Sequence, residues 1–393
     1  MLRGFFTAIR TEWQMAVREK MILVILFLIP VLVNLMLGYE LYQNQIKNIP
    51  MAVVDMDNSS LSRTIVRQFS ENETFAVRYY LDNVSEMERL FQENKIRVAM
   101  VIPPAFAKDV VALKSPTILM VYDGSQLAVA AAAKSRASEI LLTLKTGVLL
   151  KQIQARLDVP EDMAKKMALA VNFNYRTLYN PTRGYKNFLN IGLCAALVQS
   201  GIGLLSVSAI RDFELTRSKL QRIGHVLGKV AFYGGLGCLS LFLSAIMQNW
   251  LFQVPFRGRL GDELLLAAAL SFAVAGLGVM ISSWLREPLI ATIVAAVLLV
   301  PDTVLAGYTW PRLAMPGAYQ KAVAFLPFTH FADNQRDLML KGLTAAYMRQ
   351  DLIWLAIFTA AMIILAILGT LRLKTGLGEE KARESEAAAN EVS

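Results

Sequence analysis

An uninterrupted apolar segment followed directly by a cluster of basic residues constrains this chain more than any other feature. Residues 188–210 contain no charged side chain, and residues 211–229 then carry Lys or Arg at five positions. About 20 apolar residues are enough for a helix to cross the hydrocarbon core of a membrane. A Lys and Arg cluster marks the cytoplasmic end of such a helix. The stretch therefore predicts a membrane span, its direction, and a cytoplasmic loop to which a partner could bind.

The composition agrees with a membrane protein. Of the 393 residues, 55% are hydrophobic and 18% are charged, which is apolar for a soluble chain of this size. The net charge is +9, but many basic residues flank apolar runs, which favours positive-inside topology and no nucleic-acid partner. Cys194 and Cys238 fall inside apolar runs, which indicates buried thiols and not a disulfide framework or metal ligands.

The N-terminal residues 1–20 predict an amphipathic helix that lies in the membrane interface, with lipid as its partner. Apolar side chains recur at helical spacing on one face, namely Leu2, Phe5, Phe6, Ile9, Trp13 and Val17. The opposite face carries Arg3, Arg10, Glu12, Gln14 and Arg18. A plain flanking segment is the alternative. Residues 21–39 predict transmembrane helix 1, a signal anchor that is not cleaved, with a kink at Pro30.

Residues 40–186 differ in kind, because charges are scattered and short β-type runs alternate with helical patterns. The runs MAVVDMD, TFAVRYY, IRVAMVI and TILMVYD predict strands, and a long helix is expected from Ser125 to about Leu157. The pattern predicts a mixed α/β domain with its own core on the extracytoplasmic side. Asp55, Asp57 and Asp123 follow strand ends, which favours turn roles over catalysis or metal binding.

Residues 187–371 predict transmembrane helices 2–6, with a cytoplasmic coupling loop at 211–229 and an outer re-entrant segment at 307–330. The four spans after the coupling loop are expected at 226–247, 264–284, 289–305 and 352–371. Residues 372–393 then form a polar cytoplasmic tail. The fold class is an α-helical polytopic membrane protein with six transmembrane helices and an inserted mixed α/β extracytoplasmic domain, with both termini in the cytoplasm.

No signature of catalysis, cofactor binding or metal binding emerges from the sequence. The string from Gly224 to Lys229 is nearest to a phosphate-binding loop, but its spacing is wrong and no Ser or Thr follows the lysine. We expect that the chain does not hydrolyse ATP itself. Gly224 and Gly228 instead predict a small-residue contact between membrane helices.

Polar residues inside the apolar runs are candidates for a substrate path, since such groups are costly in hydrocarbon unless they find a partner or line a cavity. They are Asn34, Asn190, Gln199 and Asp302. Hydrogen bonding between helices is the alternative for the three amides. Asp302 could lie at the interface or titrate. No relay of intramembrane acids or histidines accompanies it, which disfavours a proton-driven transporter.

Several segments together resemble the permease subunit of type-2 ABC exporters, in the branch with a large extracytoplasmic domain between the first two spans. They are the N-terminal helix with Glu12 and Arg18-Glu19-Lys20, IPMAVVDMDNSSLSRTIVRQF, VAMVIPPAFAKDV, LMVYDGSQ, NPTRGYKNFLNIG and AGYTWPRLAMPGAYQKAVAFLPFTHFADNQRDLMLKG. The likeness extends over almost the whole chain, and the order and spacing of these segments make it specific.

The resemblance implies ATP-driven export of a substrate across a bacterial inner membrane, with ATP and magnesium bound by a separate cytoplasmic ABC ATPase. It also implies a second permease copy, identical or different, and a periplasmic adaptor where the cell has an outer membrane. The residues it implies for ATPase coupling are Arg10, Glu12, Arg18, Arg211, Asp212, Glu214, Thr216 and Arg217. The family usually has Arg-Glu-x-Glu-x-Gly-Thr after span two. The run Arg211-Asp212-Phe213-Glu214-Leu215-Thr216 departs from that pattern, so this copy could be the divergent half of a heteromeric pair.

Two other functions stay open at this stage. The chain could be a membrane-anchored protein whose external domain binds a partner, although six spans exceed what an anchor needs. It could also be an ion-coupled exporter, which collapse of the proton gradient would stop. The substrate itself is not readable from the residues.

Overall fold

The chain divides into two compact units. The computed structural model describes residues 1–43, 45–169, 176–208, 218–285 and 287–372. One unit combines Met1–Asn44 with Thr177–Ser393 and is called the membrane unit; the other, Gln45–Arg176, is called the α/β unit. The predicted domain at 40–186 is therefore somewhat wider than the observed unit.

The described residues form fourteen α-helical elements and four strands. The helices are α1 Leu2–Glu19, α2 Met21–Glu40, α3 Ser60–Ser70, α4 Val84–Gln92, α5 Phe106–Val111, α6 Leu127–Leu157, α7 Glu161–Ala168, α8 Lys186–Val207, α9 Lys219–Phe252, α10 Leu260–Trp284, α11 Pro288–Leu305, α12 Gly317–Val323, α13 Ala332–Lys341 and α14 Arg349–Leu371. The strands are β1 Ile49–Asp55, β2 Phe75–Leu81, β3 Val98–Ile102 and β4 Leu119–Tyr122.

The α/β unit is a four-stranded sheet with helices on both faces. The strand order is β2-β1-β3-β4; β1 is parallel to β2 and β3, and β4 is antiparallel to β3. One face buries Met51 and Val53 under Phe69 of α3 and Ala133 of α6. The other buries Ala52 and Val54 under α4. All four predicted strands and the long predicted helix are confirmed.

Five of the helices are long and apolar enough to cross a membrane, counted over the described ranges. They are α2, α8, α9, α10 and α14, while Pro288–Asp302 within α11 is a shorter apolar helix. Five of the six predicted spans therefore correspond to helices of sufficient length, and the predicted span at 289–305 corresponds to the shorter apolar helix. Segment 307–330 is broken into short helical pieces, Arg312–Ala314, α12 and Pro327–His330, none of which has the length of a span.

Helix α9 begins earlier than predicted, so much of the expected loop at 211–229 is helix. Ser218 accepts the backbone N–H of Gln221, whose side chain in turn accepts the backbone N–H of Ser218. This reciprocal capping box starts a helix before its apolar run begins. The predicted coupling residues Arg211, Asp212, Glu214, Thr216 and Arg217 lie outside the described residues, as do the residues of the tail after Arg372.

A wide, π-helical turn, Val24–Leu28, directly precedes the helical segment Ile29–Glu40 that contains Pro30, where the sequence predicts a kink. Proline has no N–H, so the carbonyl four residues earlier loses its helical donor. That carbonyl belongs to Leu26, and the Ser240 hydroxyl of α9 donates to it instead. A serine of the neighbouring helix thus completes the hydrogen bonding of α2.

Candidate functional site

The amphipathic helix α1 lies directly against the first half of α9. The backbones approach so closely that a Cβ added to Gly224 would come 2.0 Å from the Met1 carbonyl oxygen. A Cβ on Gly228 would meet the Phe5 carbonyl oxygen at 2.6 Å, and one on Gly4 would meet the Gln221 carbonyl oxygen at 2.3 Å. Glycine is required at such contacts because any side chain would separate the helices. The predicted small-residue contact at Gly224 and Gly228 is confirmed, with α1 as the partner.

A buried ion pair fixes α1 on α9. The Lys229 ammonium lies 2.8 Å from Glu12 Oε1, and the Tyr233 hydroxyl donates to Glu12 Oε2 at 2.6 Å. The side chains of Glu12 and Lys229 are only 0% and 1% exposed. A charge buried to this extent needs its partner, so removing either member leaves an uncompensated charge. The pair therefore selects one register of α1 on α9.

The face of α1 that contacts α9 is not its large apolar face. The residues that face α9 are Gly4, Ala8, Glu12 and Ala16, a stripe at four-residue spacing. Glu12, which the sequence groups with the polar face, belongs to this buried stripe, where the small residues allow the close approach. Most of the large apolar side chains point away, and Phe6 and Trp13 are 64% and 53% exposed. Glu12 is enclosed by this chain, so any influence on an ATPase would act through the position of α1.

The start of α9 is also tied to the end of α14. The Arg222 guanidinium donates to the Thr370 carbonyl oxygen at 2.9 Å, and both residues are buried. Trp284, the last residue of α10, donates its indole N–H to the Leu365 carbonyl oxygen at 3.0 Å. Arg372 lies over the same indole at 4.2 Å. The end of the membrane unit that carries α1, called the α1 end, is thus a connected block of four helices.

The remaining predicted coupling residues that the structure describes are Arg10 and Arg18. Both lie on α1 and both are exposed. Neither makes an ion pair with another described residue, so their side chains face away from α9. Among the three predicted coupling residues that the structure describes, Glu12 alone belongs to the contact with α9.

The predicted substrate-path residues do not form one group within this chain. Gln199 of α8 donates to Asp302 Oδ2 of α11 at 3.2 Å, and the Phe328 N–H donates to the same oxygen at 3.4 Å. Asp302 and Gln199 are fully buried. The structure therefore brings these two of the four together, near the opposite end of the membrane unit, called the far end.

Asn34 and Asn190 make separate contacts. Asn34 donates to Ser244 of α9 at 2.9 Å and to the Pro30 carbonyl oxygen at 2.8 Å. Asn190 accepts from the Cys194 thiol within α8 at 3.2 Å. Hydrogen bonding between helices, the alternative for these amides, accounts for the contact of Asn34 with α9.

Sequence reasoning does not identify several buried polar residues of the membrane unit, among them Lys229, Tyr233 and Glu263. Lys229 and Tyr233 hold Glu12, while Glu263 of α10 accepts from Gln335 of α13 at 3.2 Å and is fully buried. From the sequence Lys229 belongs to the basic loop, although Tyr233 follows it by four residues on the same helical face and Gly224 and Gly228, four residues apart, directly precede it. That pattern could have indicated a helix contact. Glu263 directly precedes the apolar run from Leu264, which was the available signal.

At the far end, Tyr308 inserts its hydroxyl into the backbone of α8. The hydroxyl donates to the Phe188 carbonyl oxygen at 2.5 Å and accepts the Gly192 N–H at 2.7 Å. In a regular helix the Gly192 N–H would bond the Phe188 carbonyl directly. The surrounding turn, Lys186–Asn190, is π-helical.

An arginine holds the Tyr308 ring in place. The Arg336 guanidinium of α13 lies 4.0 Å from the centre of the Tyr308 ring and 4.7 Å from that of Phe188. It also donates to the Tyr308 carbonyl oxygen at 3.1 Å. The two rings stack at 6.2 Å. Cation–π and hydrogen bonds together therefore connect α8, the loop after α11, and α13.

Asp55 and Asp123 of the α/β unit act in turns, as the sequence indicates, while Asp57 Oδ2 accepts the Ala107 N–H at 3.1 Å. Asp55 accepts the backbone N–H groups of Asp57 and Asn58. Asp123 accepts from Ser125 and pairs with Arg97, and these hydrogen bonds hold the pKa of its carboxyl below the usual value. No cluster of His, Cys, Asp or Glu able to hold a metal ion was found among the described residues.

Comparison with known proteins connects this architecture to transport. The family described as ABC-2 family transporter protein matches residues 20–368. The chain is 24% identical over 361 residues to the probable multidrug ABC transporter permease YbhR of Escherichia coli, covering 90% of this chain and 93% of that protein. It is 26% identical over 311 residues to the inner membrane transport permease YhhJ of Escherichia coli, covering 75% and 77%.

A third relative comes from a different bacterium. The linearmycin resistance permease protein LnrN of Bacillus subtilis is 22% identical over 323 residues, covering 77% of this chain and 82% of that protein. The family match spans the apolar helices, the α/β unit and the far-end segments alike. The chain therefore belongs to the ABC-2 transporter family: it is a membrane permease subunit of an ABC exporter, without an ATPase site of its own, and it works with an ABC ATPase subunit.

Proposed function

We propose that ATP-driven movement of the separate ATPase enters this chain at the α1 end and passes through α1 and α9 to the other spans. The observation that carries the proposal is the buried contact of Glu12 with Lys229 and Tyr233, set within glycine-mediated backbone packing. Helices packed this closely move together, because displacement of α1 alone would break a buried ion pair. Segment 209–217 leads directly into α9, so a force on it acts on the same block.

The proposal includes a topology. Both termini and segment 209–217 lie in the cytoplasm, α11 is the fifth of six spans, and the α/β unit lies outside a bacterial inner membrane. Support comes from the basic residues that follow α8 and from the 18 residues of α11. The exposed apolar side chains of α1, such as Phe6 and Trp13, suit a position in the lipid interface beside exposed Arg10 and Arg18.

The proposal also includes further partners and a class of substrate. A second permease copy completes the path, and α11 offers it or lipid a row of exposed apolar side chains, among them Leu289, Ile293 and Val297. A periplasmic adaptor would meet the α/β unit, and ATP with magnesium would bind the ATPase. The names of YbhR and LnrN support drug-like or antibiotic molecules as the first compounds to assay.

The experiment is co-purification in mild detergent followed by ATP hydrolysis and transport assays in proteoliposomes. A nucleotide-binding subunit should be present in stoichiometric amount. Glu12→Gln and Lys229→Met should each reduce drug-stimulated ATP hydrolysis about tenfold or more. The double variant should recover part of it, since neither charge is then left alone.

Glu19→Gln is the matched control, because Glu19 is an exposed acid on the same helix. It should behave like the parent. Absence of any nucleotide-binding subunit would contradict the proposal. So would labelling that places segment 209–217 on the same face of the membrane as the α/β unit.

A further inference from the structure

The backbone of α8 beside Tyr308 has two possible hydrogen-bonding arrangements. The hydroxyl stands between the Phe188 carbonyl and the Gly192 N–H, two groups that would bond each other in an α-helix. The turn that accommodates it, Lys186–Asn190, is π-helical and so contains one extra residue. Removing the hydroxyl frees both backbone groups to bond each other. The turn can then close into α-helical form.

Closing the turn has a defined effect on the residues before it. One residue is taken up into the helix, so that the preceding side chains shift by one position, about 100° of rotation and 1.5 Å of rise. Asn187 is buried in the observed state, with 7% exposure. After closure a different residue would occupy its place. The start of α8 therefore has two registers relative to the rest of the helix.

Glycine at residue 192 permits the Tyr308 side chain to reach the backbone of α8. A Cβ at this position would lie 2.2 Å from the Tyr308 ring. The ring can approach the backbone only because residue 192 is glycine. Arg336 covers the ring from α13 and donates to the Tyr308 carbonyl oxygen, so the tyrosine is held on two sides.

We propose that Tyr308 is a positioning residue for export, whose hydroxyl holds the first turn of α8 in its wide form and releases it during the transport cycle. This role in export rests on the function proposed above. In the held state α8, the loop after α11, and α13 form one connected group. On release the start of α8 turns, and the far end of the membrane unit rearranges.

The test uses the full-length chain in lipid nanodiscs, with Cys194→Ser and Cys238→Ser as background. Single cysteines are introduced as Tyr185→Cys, Lys186→Cys and Asn187→Cys, and their reaction with a water-soluble maleimide is timed. In the parent, position 187 should be the slowest. With Tyr308→Phe, the cysteine at position 187 should no longer be protected, and its reaction with the maleimide should be about tenfold faster or more.

Tyr347→Phe is the matched control, since this tyrosine is 81% exposed and undergoes the same chemical change. It should leave the pattern unaltered. Gly192→Ala should reproduce the effect of Tyr308→Phe by displacing the ring, and the two substitutions together should add nothing further. A pattern with position 187 still protected in both variants would overturn the proposal, provided that each elutes as a folded protein in size-exclusion chromatography.

The role in export is tested separately in the complex with the ATPase. In the parent protein, ATP and vanadate should end the protection of position 187 against the maleimide, as Tyr308→Phe does. If ATP and vanadate leave the labelling pattern of the parent unchanged, Tyr308 has no such role in export, while the proposed function of the chain is unaffected. If no ATPase binds, the proposed function fails and the export role fails with it, whereas the labelling of the permease alone still decides whether the hydroxyl holds the turn.

Discussion

Individual polar side chains complete the backbone hydrogen bonding of the membrane helices where it is interrupted. Ser240 supplies the donor that Pro30 cannot give to the Leu26 carbonyl, and Tyr308 bridges a gap in α8. An unsatisfied backbone group in a dry environment costs several kcal/mol, on the order of 2–7. Serine and tyrosine at these two positions therefore permit irregular turns inside long apolar helices.

A first prediction concerns Ser240 and Pro30. Ser240→Ala should destabilise the protein by about 1–3 kcal/mol, because the Leu26 carbonyl loses its donor. Pro30→Ala restores an N–H at residue 30, and it should rescue much of that loss in the double variant. Thermal unfolding in detergent, followed by tryptophan fluorescence, measures the coupling. Simply additive effects of the two substitutions would contradict the compensation.

A second prediction concerns the ion pair. Lys229→Met should destabilise the folded protein by about 3–5 kcal/mol, since Glu12 would be left as a buried charge without its cation. Glu12→Gln together with Lys229→Met should be closer to the parent than Lys229→Met alone. The same unfolding assay decides this. Equal stability of the single and double variants would contradict it.

Helix α1 shows how an element can be predicted from the sequence while its contact with another helix cannot. Helical spacing of Phe6, Trp13 and Val17 indicates an amphipathic helix, and the structure has one over Leu2–Glu19. The buried stripe consists of small residues and Glu12, which carry little hydrophobic signal. A large apolar face in such a helix can meet lipid instead of protein, so hydrophobicity alone does not identify the side that contacts another helix.

The partner of Glu12 could not be read from local sequence. Lys229 and Tyr233 follow it by more than 200 residues, with Tyr233 at a separation of 221. The strands of the α/β unit, in contrast, were predictable because alternation and turn residues are local signals. The start of α9 was also missed, since the capping box at Ser218 lies inside a charged segment without apolar periodicity.

A third prediction is made for the packing of α1 on α9. Gly228→Leu should displace α1, because a Cβ at residue 228 already lies 2.6 Å from the Phe5 carbonyl oxygen. Protease cleavage within residues 1–20 should become about tenfold faster or more. Gly235→Leu is the control on the same helix, since a Cβ there meets nothing within 4 Å. Equal protection of α1 in both variants would contradict the contact.

At the scale of the whole molecule, the stability of the α/β unit depends on pH. The α/β unit is held partly by exposed and half-exposed ion pairs, of which Asp123 with Arg97 is the most enclosed. Hydrogen bonds from Ser125 and Arg97 lower the pKa of Asp123. A lowered folded-state pKa means that the carboxylate contributes stability above its unfolded pKa, about 4. That contribution is lost as the pH falls through the lowered value.

The fourth prediction follows from the lowered pKa of Asp123. Asp123→Asn in the full chain should lower the unfolding temperature of the α/β unit at pH 7, and the difference from the parent should shrink at pH 3. Asp158→Asn is the control, because Asp158 is exposed and in the left-handed region, which asparagine tolerates. A difference that stays constant between the two pH values would contradict the role of the Asp123 carboxylate.

The separation in sequence between Glu12 and its two partners has a consequence for biosynthesis. A ribosome adding about 5–20 residues per second needs roughly 10–45 s to make the intervening 221 residues. Throughout that interval the acidic side chain of the newly made first helix lacks both its cation and its hydroxyl donor. The nascent chain must therefore keep this helix in water or at the lipid surface until α9, the third of the helices long and apolar enough to span, is made. Only then can the carboxylate be enclosed.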